Sequence, residues 1–200
     1  MEEFEKDLDN VINKTFDILR KESSGSRLVF PTYSNGKGKR RVSEQELRFV
    51  FVEQLQELLE KYDLFYSVET PTHDKYRFTK NRENVVPETD EKGQSANFDL
   101  TIVDKDRKTI AIIEFKAKMA SEHEYAKDLC KLWNPNEKSS YKYFLNLFEK
   151  IEKGTQKSFE EKLCPKTNKW LLEKKTLDKS DKIIVMAQSL ENEYKIKKEI

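Results

Sequence analysis

Two ionisable residues sit inside an apolar strand-like run of this 200-residue chain, Ile110-Ala111-Ile112-Ile113-Glu114-Phe115-Lys116-Ala117. A charge buried in such a run is costly unless it is paired or bound to a metal. Glu114 and Lys116 are two positions apart, so on a strand their side chains leave the same face. The apolar segment before it, Asn97-Phe98-Asp99-Leu100-Thr101-Ile102-Val103, carries one more acid, Asp99. The charged turn Asp104-Lys105-Asp106-Arg107-Lys108 joins the two. A hairpin symmetric about Asp106-Arg107 sets Asp99 directly across from Glu114, with Cβ atoms ~5 Å apart. Two carboxylates and an ammonium then converge at the end of one hairpin.

That grouping suits a hard cation. Two carboxylates at this separation can hold Mg²⁺, or Mn²⁺ in its place, with water positions left open for phosphate oxygens. A metal so held lowers the pKa of a bound water and neutralises charge building on a pentavalent phosphorus. Lys116 would orient the attacking water or stabilise transition-state charge. It would serve as a base only with a strongly lowered pKa. The structural alternative is an edge-strand ion pair among the same three residues, worth ~0–1 kcal/mol if exposed.

The rest of the chain supplies elements to support a sheet. Residues 2–22 place Phe4, Leu8, Val11, Ile12, Thr15 and Leu19 on one helical face. Leu28-Val29-Phe30 reads as a short strand. Ser43 and Glu46 form a capping-box signature, opening a helix with Leu47, Val50, Phe51, Leu55, Leu58 and Tyr62 on one face. Two strands are predicted at 64–70 and 75–79, parted by Pro71-Thr72-His73-Asp74, with a long polar loop over 80–96. Helical spacing returns at Ala126, Leu129, Cys130 and Trp133. It recurs at Tyr141, Phe144, Leu145, Phe148 and Ile151, where Gly154 closes the helix. Residues 156–175 read as helix broken at Pro165, 182–188 as a strand covered on both faces, and the remainder as a charged tail. The order is that of one α/β or α+β domain, layered around a mixed sheet.

Composition excludes several classes. No apolar run approaches the ~20 residues of a membrane helix, and the opening Met-Glu-Glu lacks the features of a secretory signal. Two cysteines cannot make a disulfide framework and suit a reducing, cytoplasmic compartment. With 38 basic against 37 acidic residues, the chain is not a general polyanion binder, so a nucleic acid would need a local basic patch. Two histidines and two cysteines 34 apart offer no zinc site. Nor does a glycine-rich phosphate loop or a Ser or Cys nucleophile motif stand out.

Asp99, a fourteen-residue gap, and then Glu114-Phe115-Lys116 on the following strand resemble the active-site signature of the PD-(D/E)xK nuclease superfamily. Phe98 stands where the family's Pro would precede the Asp. The similarity covers roughly residues 43–133, from the Ser43-Glu44-Gln45-Glu46 helix start to the helix opening near Ser121. It implies a restriction-endonuclease-like αβββαβ core over about 43–190, within a single domain spanning 1–200. Extra helices would flank that core at both ends, with an N-terminal helical extension over 1–30. It further implies a Mg²⁺-dependent endonuclease acting on nucleic acid, with DNA the expected substrate. Asp99 and Glu114 would hold the metal, and Lys116 would assist the attacking water. A helix acid would complete the site: Glu46 is the choice, with Glu53 the alternative. A capping box explains Glu46 equally well. Lys127 and Lys131, in an i, i+4 stripe with His123, are candidate phosphate contacts, as are Lys39, Arg40 and Arg41. A solvated helix face and a solvated basic loop are the plain alternatives for these. Cutting both strands of a duplex would favour a homodimer. The rival function is a catalytically silent nuclease-like module that binds nucleic acid or a protein partner.

Overall fold

The computed structural model of the protein describes residues 2–21, 26–32, 41–172, 182–192 and 194–200. Among these residues seven strands form one mixed sheet in the order β2-β1-β3-β4-β5-β6-β7. They are β1 (Phe65–Lys80), β2 (Glu83–Thr89), β3 (Gln94–Val103), β4 (Thr109–Ala117), β5 (Tyr141–Phe148), β6 (Ile184–Ser189) and β7 (Lys195–Glu199). Helices α1 (Glu2–Lys21) and α2 (Glu44–Tyr62) cover one face. Helices α3 (Glu122–Leu132), α4 (Lys153–Leu163) and α5 (Lys169–Leu172) cover the other. Among the described residues no helix is long and apolar enough to cross a membrane.

Each layer follows from patterning. Phe4, Leu8, Ile12, Phe16 and Leu19 of α1 and Leu47, Phe51, Leu55 and Leu58 of α2 pack against Leu100, Ile102, Ile113, Phe115 and Leu145. On the far face, Tyr125, Leu129 and Leu132 of α3 and Phe159 and Leu163 of α4 meet Ile112, Phe144 and Val185. Burial of these side chains, each worth about 1.5–3 kcal/mol, holds the helices to the sheet. Ser121 caps α3, accepting the Glu124 N–H at 3.2 Å while its own N–H donates to Glu124 at 2.8 Å.

Five expectations are corrected. Residues 80–96 are not a loop: Asn81 and Arg82, both at positive φ, make a two-residue turn from Lys80 to Glu83, and β2 follows. Gly93 then lets the chain pass close to β1, since a Cβ there would stand 2.4 Å from the Tyr76 carbonyl oxygen. The two strands expected at 64–70 and 75–79 are one, β1, whose pairing with β3 shifts register between Pro71 and Lys75. Glu137 closes that irregularity by accepting the N–H groups of His73 (2.9 Å) and Asp74 (3.0 Å) and the Tyr76 hydroxyl (3.1 Å). Residues 141–148, expected as helix, are the interior strand β5, between β4 and β6. Tyr143, Leu145 and Leu147 face one layer while Phe144 and Phe148 face the other. A strand buried on both faces carries apolar residues toward both layers, and in Tyr141–Phe148 these also fall at helical spacing, with Lys142 and Asn146 buried among them. The charged tail ends as β7, an edge strand antiparallel to β6. Leu28–Phe30 is irregular rather than extended into a strand.

The site is positioned by the centre of this sheet. β3 and β4 are antiparallel neighbours, α3 crosses over, and β5 returns parallel to β4. The C-terminal end of β4 therefore lies beside the start of β3's paired segment and beneath α3.

Candidate active site

In the β3–β4 ladder Leu100 pairs with Ile113, Thr101 with Ile112 and Ile102 with Ala111. One further step along that register runs from Leu100 and Ile113 to Asp99 and Glu114, although the turn is not the symmetric one expected: Val103 pairs with Thr109 and the register shifts between Ile102 and Val103. There the backbone ladder gives way to a side chain. Asp99 Oδ2 accepts the Phe115 N–H at 2.7 Å, and Oδ1 accepts from Arg48 Nη2 at 2.8 Å. Arg48 Nη1 also donates to Glu69 at 2.7 Å. Asp99 is thus fixed by β4 from one side and by α2 from the other.

Glu114 points beneath α3 and is 1% exposed. Its Oε1 lies 2.5 Å from the Lys131 ammonium, which also donates to the Asn97 carbonyl at 2.8 Å. The same ammonium is 3.2 Å from Asp128 Oδ1, and Asp128 Oδ2 is 2.8 Å from the Lys116 ammonium. Lys116 in turn lies 3.6 Å from Glu44 Oε1 at the first turn of α2. The result is a chain of alternating charge, Glu114–Lys131–Asp128–Lys116–Glu44, strung from α3 across the end of β4 to α2. Its interior members are shielded from water, so their electrostatic coupling is strong.

Burial pushes the Glu114 carboxyl well above the ordinary range; Lys131 opposes this, whereas Asp128 and Asp99 add to it. Burial also raises the Glu44 carboxyl, again against the pull of a lysine, Lys116. For Lys116 and Lys131 burial alone would favour the neutral amine. The carboxylates around them outweigh it: Asp128 and Glu44 for Lys116, Glu114 and Asp128 for Lys131. Both therefore remain ammonium ions. Asp128 is buried too, yet Lys131 and Lys116 hold its carboxyl below the usual value.

Asp99, Glu114 and Lys116 are thus brought to one place, and Glu46 is not. Glu46 turns back to accept the Ser43 N–H at 3.0 Å in the capping box of α2 and lies 3.9 Å from the Arg41 guanidinium. The acid that reaches the cluster is Glu44, two residues earlier; Glu53 is exposed further along the helix. Lys131 is also corrected, because a lysine 5% exposed and bound to Glu114 is not a surface phosphate contact. Lys127 lies over the Phe78 ring, 5.0 Å from its centroid. The third member of that stripe, His123, is buried against Trp170 and bonded to the Val85 carbonyl at 2.9 Å. Arg41 is exposed, its N–H donating to the Pro31 carbonyl at 2.6 Å. Lys39 and Arg40 lie outside the described residues.

Sequence reasoning missed Glu44, Arg48 and Asp128 as members of the site. Glu44 and Arg48 are four apart on α2, and Asp128 and Lys131 three apart on α3, so each pair shares a helical face. That spacing was a usable signal, but it is the same as that of ordinary surface pairs.

All acceptors in the cluster are oxygens: the carboxylates of Asp99, Glu114, Asp128 and Glu44 and the Asn97 carbonyl. Their chemistry suits Mg²⁺ or Mn²⁺ rather than a softer ion. Glu114 already holds a cation, the Lys131 ammonium. Among the described residues no three His, Cys, Asp or Glu side chains are grouped to hold a metal. In the arrangement seen, Asp99 is engaged by Arg48 and Phe115, and Glu114 by Lys131.

Fold and site together define a mixed α/β domain with a buried charge cluster at the end of its central hairpin. No family model, curated protein or solved structure matches the chain.

Proposed function

We propose that this protein is a metal-dependent nuclease that hydrolyses phosphodiester bonds in nucleic acid, with DNA as its substrate. The observation that carries the reading is the convergence of Asp99, Glu114 and Lys116 at the end of the β3–β4 hairpin. The topology supports it. Setting aside the β2 hairpin strand, the elements α2, β1, β3, β4, α3 and β5 run in the αβββαβ order of a restriction-endonuclease-like core.

Asp99 and Glu114 are the residues that would hold the metal, which when bound supplies a Lewis acid and a water of lowered pKa. Arg48 fixes the rotamer of Asp99 and thereby the direction its carboxylate faces. Lys116, kept as an ammonium by Asp128 and Glu44, cannot take a proton and serves as a donor. It orients the attacking water or stabilises charge on the phosphoryl oxygens. Asp128 sets the position of that donor from the far side.

One observation favours a second reading, a nuclease-like module without catalysis: both proposed metal-holding carboxylates already have a cationic partner. Incubation with labelled duplex DNA, single-stranded DNA and RNA, in Mg²⁺, Mn²⁺ or EDTA, separates the two. Chelator-sensitive cutting of DNA is expected. A folded protein that leaves every substrate intact in both metals would favour the silent module.

A further inference from the structure

We infer that Lys131 is a latch on the proposed metal site, so that a divalent cation and the Lys131 ammonium compete for Glu114. The inference rests on the nuclease reading for the presence of a metal, and on this structure for the competitor. The ammonium makes three oxygen contacts, to Glu114 Oε1 at 2.5 Å, Asn97 O at 2.8 Å and Asp128 Oδ1 at 3.2 Å. Two of these are to groups beside Asp99, on the hairpin that carries the proposed metal-holding pair. An ion of charge +2 entering at Glu114 meets this fixed positive charge at close range in a water-poor setting, where repulsion is weakly screened.

A way out for the lysine is built into α3. Asp128 precedes Lys131 by three residues, so both leave the same face of the helix, and the two are already in contact. On yielding Glu114 to a metal, the ammonium keeps Asp128 as its counter-ion and is never left buried and unpaired. Asp128 also contacts Lys116. Movement of Lys131 toward Asp128 therefore changes the charge balance at the residue proposed to assist hydrolysis. The closed arrangement holds Glu114 with lysine; the open one gives Glu114 to the metal and Asp128 to both lysines.

The test is Mn²⁺ affinity, read from the electron paramagnetic resonance signal of free Mn²⁺, without reference to turnover. Lys131→Met removes the charge and the donor. Lys131→Gln removes only the charge and keeps a donor for Asn97, providing a second variant should the first unfold. Each folded variant is expected to bind Mn²⁺ at least about tenfold more tightly than the wild type. Adding Glu114→Gln to Lys131→Gln is expected to abolish that gain. Unchanged or weaker Mn²⁺ binding in a folded Lys131 variant would overturn the latch, as would a gain that survives Glu114→Gln. Either result alongside chelator-sensitive cutting by the wild type would leave the nuclease reading standing. Failure of both assays would remove the two together.

Discussion

Lys131→Met is expected to destabilise the protein by about 3–5 kcal/mol, the usual result of removing one partner from a buried ion pair. Glu114 is 1% exposed, and the variant leaves it without its nearest cation. The Asn97 carbonyl loses a donor in the same step. Glu114→Gln combined with Lys131→Met is expected to recover a large part of the loss, because a neutral amide is far less costly to bury than an unpaired carboxylate. Denaturant midpoints for the two single variants and the double variant form the cycle that isolates the pair. Lys127→Met, one turn earlier on the same helix and partly exposed, should shift stability by no more than about 0.5–1 kcal/mol.

The deficit also has a pH dependence with a definite sign. Glu114 in the folded protein already titrates above the ordinary value of 4.5, and removing Lys131 removes the group that opposes this. The unfolded chain releases its proton near 4.5 while the folded variant retains it. Stability of Lys131→Met should therefore fall as pH rises above that value, up to the folded pKa. A loss that is the same at pH 5 and pH 8 would show that Glu114 is not what the variant strands.

Lys116→Ala is expected to lower the cleavage rate about 10²–10³-fold, the effect of deleting one preorganised donor to a developing charge. The fold should survive, because Asp128 keeps Lys131 at 3.2 Å when Lys116 is removed. Single-turnover kinetics at saturating Mg²⁺ give the rate, and circular dichroism checks the fold. A fall in rate with substrate affinity nearly unchanged places the role in the transition state. Loss of affinity with an unchanged rate would assign Lys116 to binding alone. Glu44→Gln, which removes a charge that touches Lys116 at 3.6 Å but leaves Asp128 in place, should cost less than about tenfold.

The centre of this site was legible because charges inside an apolar strand require partners, which singles out Asp99, Glu114 and Lys116. The turn itself is not symmetric about Asp106-Arg107: Val103 pairs with Thr109, and a register shift between Ile102 and Val103 restores the pairing of Leu100 with Ile113. Helices were legible where one face is buried, as in α1 and α2; α3 was legible from its apolar spacing although it is buried nearly all round. What failed was decided by tertiary context. Tyr141 to Phe148 is covered on both sides, and its apolar spacing cannot tell strand from helix. Residues 80–96 carry no Asn-Gly or Asp-Gly to announce a hairpin; Asn81-Arg82 makes the turn instead. Glu46 has the same charge as Glu44, and only the backward reach of a capping box separates their roles. Asp128 and Lys131 have the spacing of a solvated ion pair, and nothing local reveals that α3 presents that pair to Glu114.

The most direct test of a metal-dependent nuclease centre at Asp99 and Glu114 is the rate of DNA cleavage against Mg²⁺ concentration. Wild type, Asp99→Asn and Glu114→Gln would be measured side by side. Chelator-sensitive cutting by the wild type is expected, with loss of about 10²-fold or more in each variant at every Mg²⁺ concentration. Equal cutting by all three folded proteins, or none by the wild type on any substrate, would contradict it.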